Sequence, residues 1–148
     1  MKAKLFQAEK PRTWVLVFGA EDEPVAEIER FAREHGLAGA HFTGIGAFRD
    51  AVVAFFEWES KRYRDIPVRE QVEVLSLTGD IAESAEGAKV HAHAVLGRAD
   101  GSAVGGHLRA AHVRPTLEVV LEETLAHLVR VHDPESGLAL IDPHRTAP

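Results

Sequence analysis

The chain has 148 residues, 45% of them hydrophobic and 27% charged, which suits one soluble globular domain spanning residues 1–148. It contains no cysteine, so disulfides and thiolate chemistry are excluded. A formal net charge of -6 disfavours general affinity for polyanions; with no apolar run near the ~20 residues of a membrane helix and no signal-peptide pattern, the expected location is cytoplasmic.

Lys2 to Gln7 alternates polar and apolar residues and reads as a first strand. After Pro11, Thr13 to Gly19 (TWVLVFG) is nearly continuous in apolar and β-branched residues, the pattern of a buried strand, and Gly19 to Asp22 makes a turn. Glu23 and Pro24 open the one clear helix, an acidic residue and a proline at its positive end. Val25, Ile28, Phe31 and Ala32 recur at helical spacing, and Gly36 closes the helix as a C-terminal cap.

Gly39 to Trp58 is rich in strand formers, in two runs joined at Arg49-Asp50. His41 lies early in this stretch, either a further polar site residue or a histidine hydrogen-bonded at a strand edge. Gly44 and Gly46 suggest a bend or a close approach; without the Gly-x-Gly-x-x-Gly spacing they are no phosphate loop. Lys61-Arg62-Tyr63-Arg64 is the strongest local basic patch and reads as a solvated loop between strands. Val72 to Thr78 marks another strand, with Gly79-Asp80 and Ser84 to Gly87 as loops around Ile81-Ala82. Glu73, among apolar neighbours, either faces solvent or is half-buried, where desolvation would raise its pKa and fit it as a general base or as an anchor for a metal ligand.

The most informative stretch is Ala88 to Leu108, AKVHAHAVLGRADGSAVGGHL. Two apolar runs flank an Asp-Gly, a strong short-range hairpin signal. His91 and His93 are two residues apart, so on a strand both rings leave one face. A loop of Ala99, Asp100 and Gly101, with Gly101 at positive φ, pairs Arg98 with Ser102, His93 with His107 and His91 with Arg109. All three imidazoles then converge, whereas a two-residue loop would send His107 to the other face. Three convergent histidines without cysteine suggest a divalent transition metal, zinc first, with a position open to water or a ligand. Gly105 and Gly106 would permit close backbone approach beside them.

Beyond the hairpin, His112 and Arg114 precede Pro115, and Thr116 to Leu125 is ambiguous between helix and strand, with Val119-Val120 favouring a strand. Val129 to Val131 and Leu138 to Ile141 are candidate short edge strands about the Asp133-Pro134 turn, and His144 to Pro148 have nothing to bury. Six or more strands with one early helix make an α+β sheet protein.

The order of GIGAF (44–48), EVLSLTGDI (73–81), HAHAVLG (91–97), DG (100–101) and GGHL (105–108) resembles the PPC domain, the plants-and-prokaryotes conserved domain, over roughly Thr13 to Glu122. The resemblance implies a strongly curved, mainly antiparallel sheet with one principal helix, assembled as a homotrimer. Prokaryotic members with histidines matching His91, His93 and His107 look like metal-binding proteins, with zinc the usual assignment. Plant members carry a separate Arg-Gly-Arg-Pro AT-hook that enters the DNA minor groove; this sequence has no such tripeptide core and sides with the prokaryotic, single-domain branch. It departs from the family pattern at Asp80, where asparagine is frequent.

The leading expectation is therefore a trimeric metal-binding protein with zinc on His91, His93 and His107 and a water or small anionic ligand completing the shell. In an enzyme, metal-activated water would attack an acyl or phosphoryl centre, with Glu73 the first carboxylate to test as base. The competing class is a DNA-associated regulatory protein, disfavoured by the acidic charge because phosphate contacts need clustered Lys and Arg.

Overall fold

In a computed structural model of the protein, residues 1–7 and 11–145 are described. The elements run β1 (Lys2–Gln7), β2 (Thr13–Phe18), α1 (Pro24–Glu34), β3 (Gly39–Glu57), β4 (Arg62–Val68), β5 (Val72–Ser84), β6 (Gly87–Gly97), β7 (Ala103–Glu123), β8 (Arg130–His132) and β9 (Ala139–Ile141). Seven strands form one antiparallel sheet in the order β1-β2-β7-β6-β5-β3-β4. An additional pairing of β3 with β7, from Ala40↔Glu123 to Ala54↔His107, closes β3, β5, β6 and β7 into a ring.

The two long strands make that closure. β3 has 19 residues and β7 has 21, and their mutual register shifts between Gly46 and Phe48, Phe48 and Asp50, and Val52 and Val53. Such bulges bend a strand and increase its twist, so each strand serves one set of neighbours at one end and another set at the other. Gly46 has φ 156°, and a Cβ there would lie 2.3 Å from the Thr116 carbonyl oxygen. The expected joint at Arg49-Asp50 is instead strand interior, with Asp50 paired to His112 across the ladder.

Two other expected loops are also strand. Gly79 and Asp80 continue β5, where Gly79 pairs with Phe42 on one side and Ala92 on the other. A Cβ on Gly79 would stand 2.5 Å from the Phe42 ring, so this glycine makes room for an aromatic rather than a turn. Arg62, Tyr63 and Arg64 belong to the edge strand β4, paired with Glu57, Phe56 and Phe55 of β3, and only the turn before them bears out the loop. The expected short strands after residue 128 exist, but as a separate β8-β9 ribbon, not an edge of the main sheet.

The inner face of the sheet holds the core. β2 buries Trp14, Leu16 and Phe18 while Val15 and Val17 stay half-exposed, so it alternates rather than being buried on both faces. Phe42, Phe48, Leu77, Leu96, Leu117, Val119 and Leu121 join them. α1 covers this face with Ile28, Phe31 and Ala32, and Phe31 meets Trp14 edge-on at 5.7 Å. The Glu23 side chain caps α1 by accepting from the Ala26 N–H at 2.8 Å. At the other end, Leu37 N–H donates to the Ala32 carbonyl and Gly36 N–H to that of Arg33, with Gly36 at φ 61°, a Schellman closure. The outer face carries Ile45, Leu75, Val95 and Val120, all exposed.

Candidate metal centre

The β6–β7 turn sets the register of the histidines. Arg98 N–H donates to the Ser102 carbonyl at 2.8 Å, Gly101 N–H to that of Arg98 at 3.0 Å, and Gly101 has φ 83°. The Asp100 carboxylate accepts from both the Ser102 N–H and its hydroxyl, locking the loop. The strands then pair Gly97↔Ala103 through His93↔His107. Their ladder stops there, because β7 turns away to pair Leu108 with Val53 of β3. The expected His91↔Arg109 pair is accordingly absent from the described ladder, and His91 lies opposite Asp80 of β5 instead. Gly105 and Gly106 sit where a Cβ would come within 2.8 Å of the Ala94 carbonyl oxygen and 2.6 Å of that of Ala54. The paired glycines therefore let β7 approach both neighbours closely.

His91, His93 and His107 nevertheless converge: one nitrogen from each lies within 4.8 Å of the others. The ring centroids are 5.1 Å apart for His91 and His93, 5.1 Å for His91 and His107, and 5.8 Å for His93 and His107. His91 and His107 are half-buried and His93 is exposed, so the group opens towards solvent on one side.

Three residues that the sequence did not assign to the site, Tyr63, Asp80 and Arg130, lie beside this group. Tyr63 stacks on His107 at 4.6 Å between centroids. Asp80 places one carboxylate oxygen 3.9 Å from His91 Nδ1. Its other oxygen accepts from Arg130 Nη2 at 2.5 Å, while Arg130 Nη1 donates to the Ala139 carbonyl at 3.0 Å. Arg130 thus ties the β8-β9 ribbon to β5 beside the histidines. Periodicity could not reveal it, since β8 has only three residues and pairs only with β9.

Burial favours the neutral form of two of the rings, His91 and His107. Burial lowers the pKa of His107 from 6.5 to about 4, with the neighbouring His91 and His93 adding to the effect. Burial also lowers that of His91, assisted by Arg130 and opposed by Asp80. Neutral imidazole is the metal-binding form, and at neutral pH His107 offers it without losing a proton. The buried Nδ1 of His107 finds no hydrogen-bond partner among the described residues. An orphaned nitrogen is costly unless something polar meets it. A set of nitrogen donors with one side open fits zinc or another borderline transition metal far better than calcium or magnesium.

The remaining candidates lie elsewhere. Glu73 is exposed and opposite Gly97, four residues along β6 from His93, or roughly 13 Å at strand rise, so it is not brought to the histidines as a base. His41 is exposed and 3.4 Å from Glu122. His112 Nδ1 meets Asp50 at 2.7 Å, and that hydrogen bond is the main cause of the lowered Asp50 pKa. The buried carboxylate Glu123 is met by Arg12 through two side-chain hydrogen bonds of 2.8 Å, a structural pair.

The sequence matches the family profile of the Plants and Prokaryotes Conserved (PCC) domain over residues 6–125. The chain belongs to this family. Similar solved structures cover the Plants and Prokaryotes Conserved fold almost end to end. A candidate DNA-binding protein of Bacteroides thetaiotaomicron is 30% identical, with 97% of this chain and 99% of that one aligned at TM-score 0.88. A metal-containing protein of Archaeoglobus fulgidus is 33% identical, over 93% and 98% of the two chains at TM-score 0.83. A plant- and prokaryote-conserved protein of Pyrococcus horikoshii is 28% identical, over 97% and 96% at TM-score 0.83. No curated protein matches the sequence. The β8-β9 ribbon, and with it Arg130, lies beyond the part of the chain that the Plants and Prokaryotes Conserved profile covers.

Proposed function

We propose that this is a metal-binding protein in which His91, His93 and His107 hold one divalent transition metal, zinc first, with a water or small anionic ligand completing the coordination. The observation that carries the reading is the convergence of three imidazole nitrogens within 4.8 Å. The unpartnered Nδ1 of His107 supports it, as does the similar protein of Archaeoglobus fulgidus, which is named as metal-containing. When bound, the metal supplies a Lewis-acidic centre and lowers the pKa of a coordinated water. The chain's own residues hold the imidazoles in place: Tyr63 against one face of His107, Asp80 beside His91, and Arg130 on Asp80.

The working assembly is a homotrimer in the cytoplasm. The exposed outer-face residues Ile45, Leu75, Val95 and Val120 give such an assembly an apolar surface to bury. Light scattering coupled to gel filtration reads the trimer as three times the 16.2 kDa chain mass.

A second reading, DNA association, is favoured by the description of the Bacteroides relative. The basic run of β4 speaks against it: Arg64 pairs with Glu57, Lys61 lies over the Trp58 ring, and nearby Arg109 faces Asp65 at 3.7 Å. Cations already engaged in this way are less available to phosphates.

The test is metal analysis of tag-free protein beside a His91→Ala, His93→Ala double variant. Close to one metal per chain in the parent and none in the variant is expected. Equal metal in both would remove the reading, and a gel shift that persists near physiological salt would favour DNA instead.

A further inference from the structure

Two of the three histidines, His91 and His107, line a cleft of about 480 Å³, a volume ordinary for a small-molecule site. Tyr63, Val90 and, from the β8-β9 ribbon, Leu138 and Leu140 line it together with these histidines. The exposed lining is more apolar than polar. Two cations, Arg130 and Lys89, face it against one carboxylate, Glu86. Leu140 is 45% exposed, an apolar side chain that the fold itself leaves uncovered. The ribbon that carries it lies outside the family profile, yet it is held firmly: Arg130 is anchored on Asp80, Glu83 N–H donates to the Leu128 carbonyl at 2.7 Å, and Asp142 N–H to that of Val129 at 2.9 Å.

We propose that this cleft binds a small monocarboxylate with an apolar tail, its carboxylate at the open side of the three-histidine centre and its tail against Tyr63, Leu138 and Leu140, so that the β8-β9 ribbon selects the ligand. The inference rests on the metal reading of the histidines. Imidazole is an uncharged ligand, so a divalent ion held by three of them keeps its full positive charge, which favours an anionic head group. Tyr63, Val90, Leu138 and Leu140 offer the rest of the ligand hydrocarbon and an aromatic ring, while the nearly buried Arg130 is already engaged by Asp80 and the Ala139 carbonyl. The tail is therefore selected by burial of apolar surface rather than by hydrogen bonds.

The experiment is isothermal titration calorimetry of the zinc-loaded full chain with acetate, butyrate, hexanoate and the uncharged hexan-1-ol, with zinc content measured on the same samples. Affinity is expected to rise at least ~10-fold from acetate to hexanoate, since a fully buried methylene is worth about fourfold. Hexan-1-ol should bind far more weakly than hexanoate. In Leu140→Ser, an exposed position that threatens folding little, hexanoate should lose about fivefold or more of its affinity while acetate and zinc content stay unchanged. A Leu138→Ser variant should behave likewise. A flat series in a zinc-replete parent, or a gradient untouched in both variants, would overturn the ribbon's role and leave the metal centre standing. A parent that takes up no zinc would remove the centre and the carboxylate site together.

Discussion

Two histidines five residues apart on β7 have opposite fates. His112 meets Asp50 at 2.7 Å, and the pair is complete in itself. His107 is half-buried under Tyr63, faces two further histidines, and keeps a buried nitrogen without a partner among the described residues. Histidine on a strand is thus not informative by type. What separates a structural ring from a candidate ligand is whether the protein itself satisfies the nitrogens.

Substitution at the two places gives the largest contrast. His107→Ala is expected to abolish stoichiometric metal uptake, read by elemental analysis, whereas His112→Ala should retain it. The cost of His112→Ala should appear only in stability, about 1 kcal/mol or less by urea unfolding, because both partners are partly exposed. Loss of metal in His112→Ala would erase the distinction.

The close contact that lets β7 reach β3 beside His107 comes next. A Cβ on Gly106 would stand 2.6 Å from the Ala54 carbonyl oxygen, which is backbone and cannot swing aside. Gly106→Ala should cost about 1–3 kcal/mol and weaken metal binding with it. An unchanged denaturation midpoint would show that the strands have room the geometry denies.

A smaller effect is expected at Asp80, whose carboxylate lies 3.9 Å from His91 and is held by Arg130. Partners of metal-bound histidines typically tune affinity by 10- to 100-fold, and at this distance the lower end is expected for Asp80→Asn, about tenfold in a chelator competition. Glu73→Gln, by contrast, should leave metal affinity unchanged, because Glu73 is exposed and roughly 13 Å along the strands.

The two histidine environments should also respond to pH in different windows. The folded chain holds His107 neutral down to about 4, whereas the unfolded chain protonates it near 6.5. The unfolded state then binds more protons between those values, so the metal-free protein should lose stability as pH falls from 6.5 towards 4, and His107→Gln should flatten the loss. Asp50, lowered chiefly by its hydrogen bond with His112, contributes stability that disappears only below the ordinary carboxylate value of 3.8. Urea titrations at stepwise pH check both, and an identical slope in parent and His107→Gln would refute the assignment.

Much of this geometry was legible in the sequence where the determinant was local. Asp100-Gly101 sets a turn by backbone chemistry alone, and the turn carries His93 opposite His107. The helix ends were legible for the same reason, through Glu23, Pro24 and Gly36. Sequence patterns misled where a turn-like residue answered a distant contact. Gly79 reads as a loop but clears space for the Phe42 ring, and Arg49-Asp50 reads as a joint but lies in one bulged strand. Arg130 and Tyr63 were invisible as site residues because nothing near them in the chain shows what they touch; each reaches the histidines only through tertiary closure.

The most direct measurement is the X-ray absorption spectrum of the zinc-loaded protein at neutral pH. Three imidazole nitrogens at about 2.0–2.1 Å with one oxygen in the same shell are expected. A shell made of oxygens, without imidazole scattering, would contradict a metal held by His91, His93 and His107.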